Sequence, residues 1–244
     1  MKQNIYDNPD FFEGYKRMRD ERAGLNEVLE EPAIRKLLPP LQGTCILDLG
    51  CGFGSFAKFA LEQGPAQITA VDISEKMIAV ARERIRDERV KFICMALEDF
   101  VPAKDSYDLA VSSLCLHYVQ EIDVLFERIA GALRPGGQFV FSIEHPMCTS
   151  QLDGWAKGDA GNKRYWPVDR YFDEGARISH WFVDGVVKYH RTVETYVRLQ
   201  ANAGFQMTAL VEPQPEEIQL AKRPDLKDEL RRPAFLIIAC RLEV

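Results

Sequence analysis

From Cys45 onward, short apolar runs alternate with helical periods, a pattern that predicts strand, helix, strand units around a parallel sheet. Strands are expected at 45–49, 68–71, 90–95, 109–113, 138–143, 205–211 and 235–240. Helices fit between them at 55–63, ended by Gly64, at 75–87, capped by Ser74, and at 123–133, stopped by Pro135, Gly136 and Gly137. The second carries Met77, Ile78, Ala81 and Ile85 along one stripe. A further helix over about 192–203 ends at Gly204, and another precedes Pro233. The first 40 residues are mixed and polar, with Phe11, Tyr15 and Met18 spaced as on one helix face and Pro39 and Pro40 closing the region.

One stretch breaks the alternation. Between the fifth strand and the helix near Thr192 lie about 45 residues, long for a structureless loop, and they hold all three tryptophans, Trp155, Trp166 and Trp181. Nine of the 25 aromatic residues fall between Gln151 and Tyr196, about twice the even share, so the segment reads as a lid. Its aromatic faces would either enclose a flat or cationic ligand or pack into a small core of their own.

The first strand runs through ILDLGCGFG directly into a helix. Gly50, Gly52 and Gly54 let the backbone turn tightly and approach a ligand, and the second strand ends at Asp72, where a carboxylate can accept from both hydroxyls of a ribose. The dinucleotide fingerprint has the order G-x-G-x-x-G, whereas here the glycines alternate behind Asp48 and position 55 is Ser. A carboxylate just before the loop is poorly placed for phosphates and suits a cofactor with a cationic amine, such as S-adenosylmethionine.

ILDLGCGFG, followed by VDIS, ALEDF, YDLAVSSLCLHYV and LRPGGQFVFSIEHP, resembles the class I S-adenosylmethionine-dependent methyltransferases. An opening like NIYDNPDFFEGY, with FSIEHP, DEGAR and KYHRT, is similar to an uncharacterised bacterial subgroup of small methyltransferases. The resemblance implies an α/β, Rossmann-like, doubly wound seven-stranded sheet, mostly parallel with one antiparallel strand near the edge, plus the aromatic-rich lid. It implies one domain over 1–244: an N-terminal helical segment (1–40), a cofactor-binding core (41–147), the lid insertion (148–190) and the rest of the core (191–244). By the same resemblance Gly50, Cys51, Gly52 and Gly54 back the methionine part of the cofactor and Asp48 orients its amino group. Asp72 holds the ribose, Ile73 and Met77 line the adenine, Leu97 and Glu98 meet its other edge, and Ser112, Ser113 and Leu114 end the fourth strand beneath it. The product would be S-adenosylhomocysteine, and no metal is required.

Methyl transfer asks the protein to hold an acceptor near the methyl in a dry pocket, and a base is sought where the acceptor must lose a proton. His117 and His145 each follow a strand end and are the candidate catalytic groups; either could instead only pack or hydrogen-bond. Tyr15, Trp166, Tyr171, His190 and Arg191 are the candidate acceptor-binding residues, the last two for an acidic acceptor.

Composition then narrows the partners. A net charge of −6, from 31 basic and 37 acidic side chains, gives no long basic surface and disfavours a nucleic-acid partner. The place of the D/N-P-P-aromatic motif, common in relatives that act on nucleic-acid amines, is taken by SSLC. Six cysteines with no closely spaced pair argue against a disulfide framework or a zinc site, and no apolar stretch is long enough for a membrane span or a leader, so a cytoplasmic address is expected. The expected activity is methyl transfer to a small-molecule acceptor; the alternatives are a non-catalytic cofactor-binding module and a tRNA or protein methyltransferase, with a dehydrogenase last. Oligomeric state is left open, a homodimer included.

Overall fold

The computed structural model describes residues 2–21 and 24–243. In chain order its elements are α1 (Pro9–Asp20), a π turn (Asn26–Glu30), α2 (Glu31–Lys36), β1 (Cys45–Leu49), α3 (Ser55–Leu61), β2 (Gln67–Asp72), α4 (Glu75–Arg84) and β3 (Val90–Cys94). There follow β4 (Tyr107–Ser112), α5 (Ile122–Ala132), β5 (Leu133–Glu144), α6 (Pro146–Thr149), β6 (Ala156–Lys157), β7 (Lys163–Tyr165), β8 (Gly175–Trp181) and β9 (Val183–His190). The chain closes with α7 (Val193–Asn202), β10 (Phe205–Val211), α8 (Glu217–Lys222) and β11 (Phe235–Leu242).

The sheet has seven strands in the order β10-β11-β5-β4-β1-β2-β3, and only β11 runs antiparallel to its neighbours β10 and β5. The order reverses at β1, between β2 and β4, which opens a crevice at the carboxyl ends of these strands, where ligands bind in doubly wound sheets. Period-two alternation gives the central strands two buried faces. Leu47, Leu49, Phe139 and Phe141 pack under α5 and α7, while Ile46, Ile68, Leu109 and Val140 pack under α2, α3 and α4. The parity that buries Ile46 carries Asp48 to the same side.

Local chemistry accounts for the helix ends. Ser74 accepts from the Met77 N–H and Thr192 from the Thr195 N–H, so α4 and α7 begin one residue after these caps. α4 stops at Arg84 rather than at 87, because Ile85 turns extended to drop its side chain into the core.

The expected lid is two antiparallel ribbons, β6–β7 and β8–β9, rather than a loop. The tip of the second ribbon lies on α1: Trp181 and Phe182 meet Phe11 edge-on, at ring-centre separations of 5.3 and 5.5 Å. Gly14 makes this approach possible, since a β-carbon there would lie 2.7 Å from the Phe182 ring. The residues before α1 are tied to the sheet by Asp7, which accepts from the Ser74 hydroxyl at 2.5 Å and from the N–H groups of Glu75 and Lys76 at the start of α4. Among the described residues, no helix is long and apolar enough to cross a membrane.

Candidate active site

The loop after β1 is held by its neighbours' backbone. The N–H groups of Gly50 and Cys51 both donate to the Val71 carbonyl, at 2.8 and 3.0 Å. Gly50 has φ +78°, and a β-carbon on it would run into the Cys115 thiol, so glycine is required on both counts. Asp72 braces the same loop: one carboxylate oxygen accepts from Gly52 N–H at 2.8 Å and the other from Ser74 N–H at 2.9 Å. Each oxygen keeps lone-pair capacity for a further donor.

Asp48 is the informative group. It is 2% exposed, and its Oδ2 has no hydrogen-bond partner. Burial, with the charge of Asp72 adding to it, pushes its carboxyl up to about 8. An orphaned buried carboxyl facing a cavity is costly alone and is satisfied by a cationic amine, so the residues present fit the methionine end of S-adenosylmethionine.

A cavity of about 560 Å³ starts here, within the usual roughly 300–1,000 Å³ range of small-molecule sites. Of the residues expected to hold the cofactor, Asp48, Gly50, Cys51, Gly52, Asp72, Met77, Ser113 and Leu114 line it. Gly54 instead caps α3 in a left-handed conformation, and Ser112 is fully buried with its hydroxyl donated to the Leu49 carbonyl. Ile73, Leu97 and Glu98 lie outside the cavity wall; the Ile73 carbonyl accepts from the Asn4 amide, and the Glu98 carbonyl accepts from Arg128.

The cavity continues to a second end walled by Tyr118, Trp166 and Trp181 and carrying His117, Glu144, Lys188 and Arg232. Lys188 Nζ sits 2.5 Å from Glu144 Oε1 and 5.2 Å from the centre of the Trp181 ring. Burial pushes the Glu144 carboxyl up, but Lys188 and His117 outweigh it and hold the group below its usual range. Burial drives His117 down to about 4, so its ring is neutral at pH 7. Its Nδ1 accepts from the Glu144 N–H at 3.5 Å, which leaves the hydrogen on Nε2 and makes the ring a donor rather than a base.

The other expected site residues divide. Tyr15 and Trp166 line the cavity. His145 does not: its Nδ1 accepts from Met147 N–H and its Nε2 meets Glu212 at 2.9 Å, so both nitrogens serve the start of α6 and its surroundings. His190 is fully buried between Thr149 and the Tyr171 carbonyl, Arg191 donates to the carbonyls of Val119 and Gln120, and the Tyr171 hydroxyl accepts from Val193 N–H. These four fasten the second ribbon and α6 to the core, outside the cavity wall. The lid aromatics split likewise. Trp166 and Trp181 face the cavity, Trp155 packs edge-on against Trp166 at 5.3 Å, and Phe172 is exposed.

The structure also brings forward Glu30, which sequence reasoning missed. Fully buried at the end of the π turn, its Oε1 accepts from the Ser113 hydroxyl at 2.9 Å and the Ser142 hydroxyl at 2.5 Å, while its Oε2 has no partner. Ser142 Oγ in turn accepts from the N–H of Leu114, a residue at φ +49°. Glu30 thus pins the ends of β4 and β5 where they meet the cavity.

Residues 47–141 match the family model described as a methyltransferase domain. An uncharacterised protein of Haemophilus influenzae is 33% identical, over 98% of this chain and 97% of its own. The crystal structure of an S-adenosylmethionine-dependent methyltransferase from Mesorhizobium loti is 43% identical, covers 89% of this chain and 100% of its own, and superposes with a TM-score of 0.83. A malonyl-[acyl-carrier protein] O-methyltransferase of Acetivibrio thermocellus is 33% identical over 44% of this chain and 38% of its own. With the glycine loop, Asp48 and Asp72 in place at the switch point, and a relative matching along nearly the whole length, the chain belongs to the S-adenosylmethionine-dependent methyltransferases.

Proposed function

We propose that this enzyme methylates a small molecule held in the aromatic-walled end of the cavity. The observation that carries the reading is continuity: one cavity joins Asp48, Gly52 and Asp72 to Trp166, Trp181, Lys188 and Arg232, so a cofactor at one end and an acceptor at the other share a single continuous space. When bound, S-adenosylmethionine supplies a methyl group on a sulfonium, the electrophile of an in-line displacement. The chain's own part is to bind, orient and exclude water. Asp48 and Asp72 fix the two polar ends of the cofactor, while the Tyr15, Trp166 and Trp181 rings keep the acceptor end dry. A net charge of −6 speaks for a small acceptor over tRNA. Six free thiols support a reducing, cytoplasmic setting.

Incubating the protein with S-adenosylmethionine and a metabolite extract is expected to give a small molecule heavier by one methylene, read by mass spectrometry. A protein that binds S-adenosylhomocysteine but methylates only tRNA or protein in parallel extracts overturns the reading.

The buried acid also makes cofactor binding pH-dependent. With its pKa near 8, Asp48 is mostly protonated at pH 7, and a neighbouring ammonium favours the ionised form. Binding therefore expels about one proton, and affinity rises up to about tenfold per pH unit between pH 6 and the pKa. Calorimetry with S-adenosylhomocysteine in buffers of different ionisation enthalpy is expected to show that release for the native chain and none for Asp48→Asn. Equal proton release in both would reject the assignment.

A further inference from the structure

Arg232 stands at the acceptor end with its hydrogen-bonding capacity unmet. Its side chain is 9% exposed and lines the cavity, with the guanidinium carbon 4.3 Å from the centre of the Trp166 ring. Glu229 lies 3.1 Å from Nη1, yet neither Nη1 nor Nε makes a hydrogen bond, and the facing Glu229 Oε2 is also without one. Charge is thus balanced on one side of the guanidinium while the donors on two of its three nitrogens, Nη1 and Nε, are unsatisfied. The other cation at this end, Lys188, is already held by Glu144. A planar fork of donors on an aromatic face matches the two oxygens of a carboxylate.

The proton inventory points the same way. An alcohol, phenol or ammonium acceptor must lose a proton, yet His117 presents a donor, Glu144 is held ionised by Lys188, and Lys188 is itself a cation. None of these three is placed as a base, and His180, also on the cavity wall, is two-thirds exposed and spends its Nδ1 on Asp184 at 2.7 Å. A carboxylate needs no base, because it arrives ionised.

We propose, resting on the methyltransferase reading above, that the acceptor is an organic carboxylate, docked on Arg232 against Trp166 and methylated on its own oxygen. One carboxylate oxygen forms the new O–CH3 bond as the C–S bond breaks. The bonding pair goes to sulfur, so the products are a neutral methyl ester and the neutral thioether, and no proton is transferred. Loss of the acceptor's charge weakens its hold on Arg232, which favours release of the product.

The test is a binding panel on the native chain saturated with S-adenosylhomocysteine. Acetate, succinate, benzoate and indole-3-acetate are titrated beside their amides. At least one acid is expected to bind tenfold or more tighter than its amide, and Arg232→Gln to abolish that preference with S-adenosylhomocysteine affinity unchanged. Glu229→Gln removes the anion that shares the guanidinium and is expected to tighten the same acid several-fold, which a variant that merely misfolds cannot do. Acids and amides binding alike, or both variants weakening the acid equally, would overturn the proposal. Failure of S-adenosylhomocysteine to bind would instead remove the methyltransferase reading beneath it.

Discussion

Asp72→Ala is expected to weaken S-adenosylhomocysteine binding by about 100-fold to 10,000-fold. The carboxylate would lose two charge-assisted hydrogen bonds to the ribose, each worth roughly 1.5–3 kcal/mol. It would also lose its existing work on the protein, since Gly52 N–H and Ser74 N–H both donate to it and the loop would be left with two unpaired donors. Asp72→Asn separates these effects. One amide oxygen can still serve Ser74, but the amide nitrogen would face Gly52 donor to donor, so an intermediate affinity is expected. Calorimetric titration gives the affinities and thermal melting the integrity of the fold. A folded Asp72→Ala protein that binds within threefold of the native chain would remove Asp72 from the site.

The loop of this candidate cofactor end is legible in the sequence because its geometry is local. A strand, three alternating glycines and an acidic residue at the end of the next strand fix the loop by short-range backbone rules. The distances confirm what the spacing implies for the loop: Gly50, Cys51 and Gly52 are stitched to Val71 and Asp72. The acceptor end is non-local and was only partly legible. His145, His190 and Arg191 stand near strand ends and the lid in the sequence, but their surroundings are set by Glu212, Thr149, Val119 and Gln120, far away in sequence. Arg232 sits in a charged run, DELRRP, that reads as solvated surface until Trp155 and Trp166 of the lid cover it. The second ribbon is hidden in the sequence for a related reason. Its buried positions include Arg177, Lys188 and His190 with Val186, so the alternation that marks a half-buried strand is broken by polar residues facing inward.

Glu30 was the least visible of all, and it sets the second large effect: the native chain is expected to lose roughly 2–3 kcal/mol of stability between pH 5 and pH 8 through this one group. Burial pushes its carboxyl up to about 7, against the usual value near 4.5, even though the Ser142 and Ser113 hydroxyls favour the ionised form. The sign follows from proton counting. Between about pH 4.5 and 7 the folded chain binds a proton that the unfolded chain has released, so the contribution is fully present below the lower value and is lost as pH rises through the upper one. Glu30→Gln keeps an oxygen for the two serine hydroxyls but cannot ionise. Urea unfolding of both proteins at the two pH values isolates the group, because every other titration is common to them. The stability difference between native chain and variant should move in the variant's favour by that amount at pH 8 relative to pH 5. A difference that does not change with pH would mean that Glu30 ionises in the folded protein as readily as in water. In that case its contacts with Ser113 and Ser142 would hold the ends of β4 and β5 at no cost in charge burial.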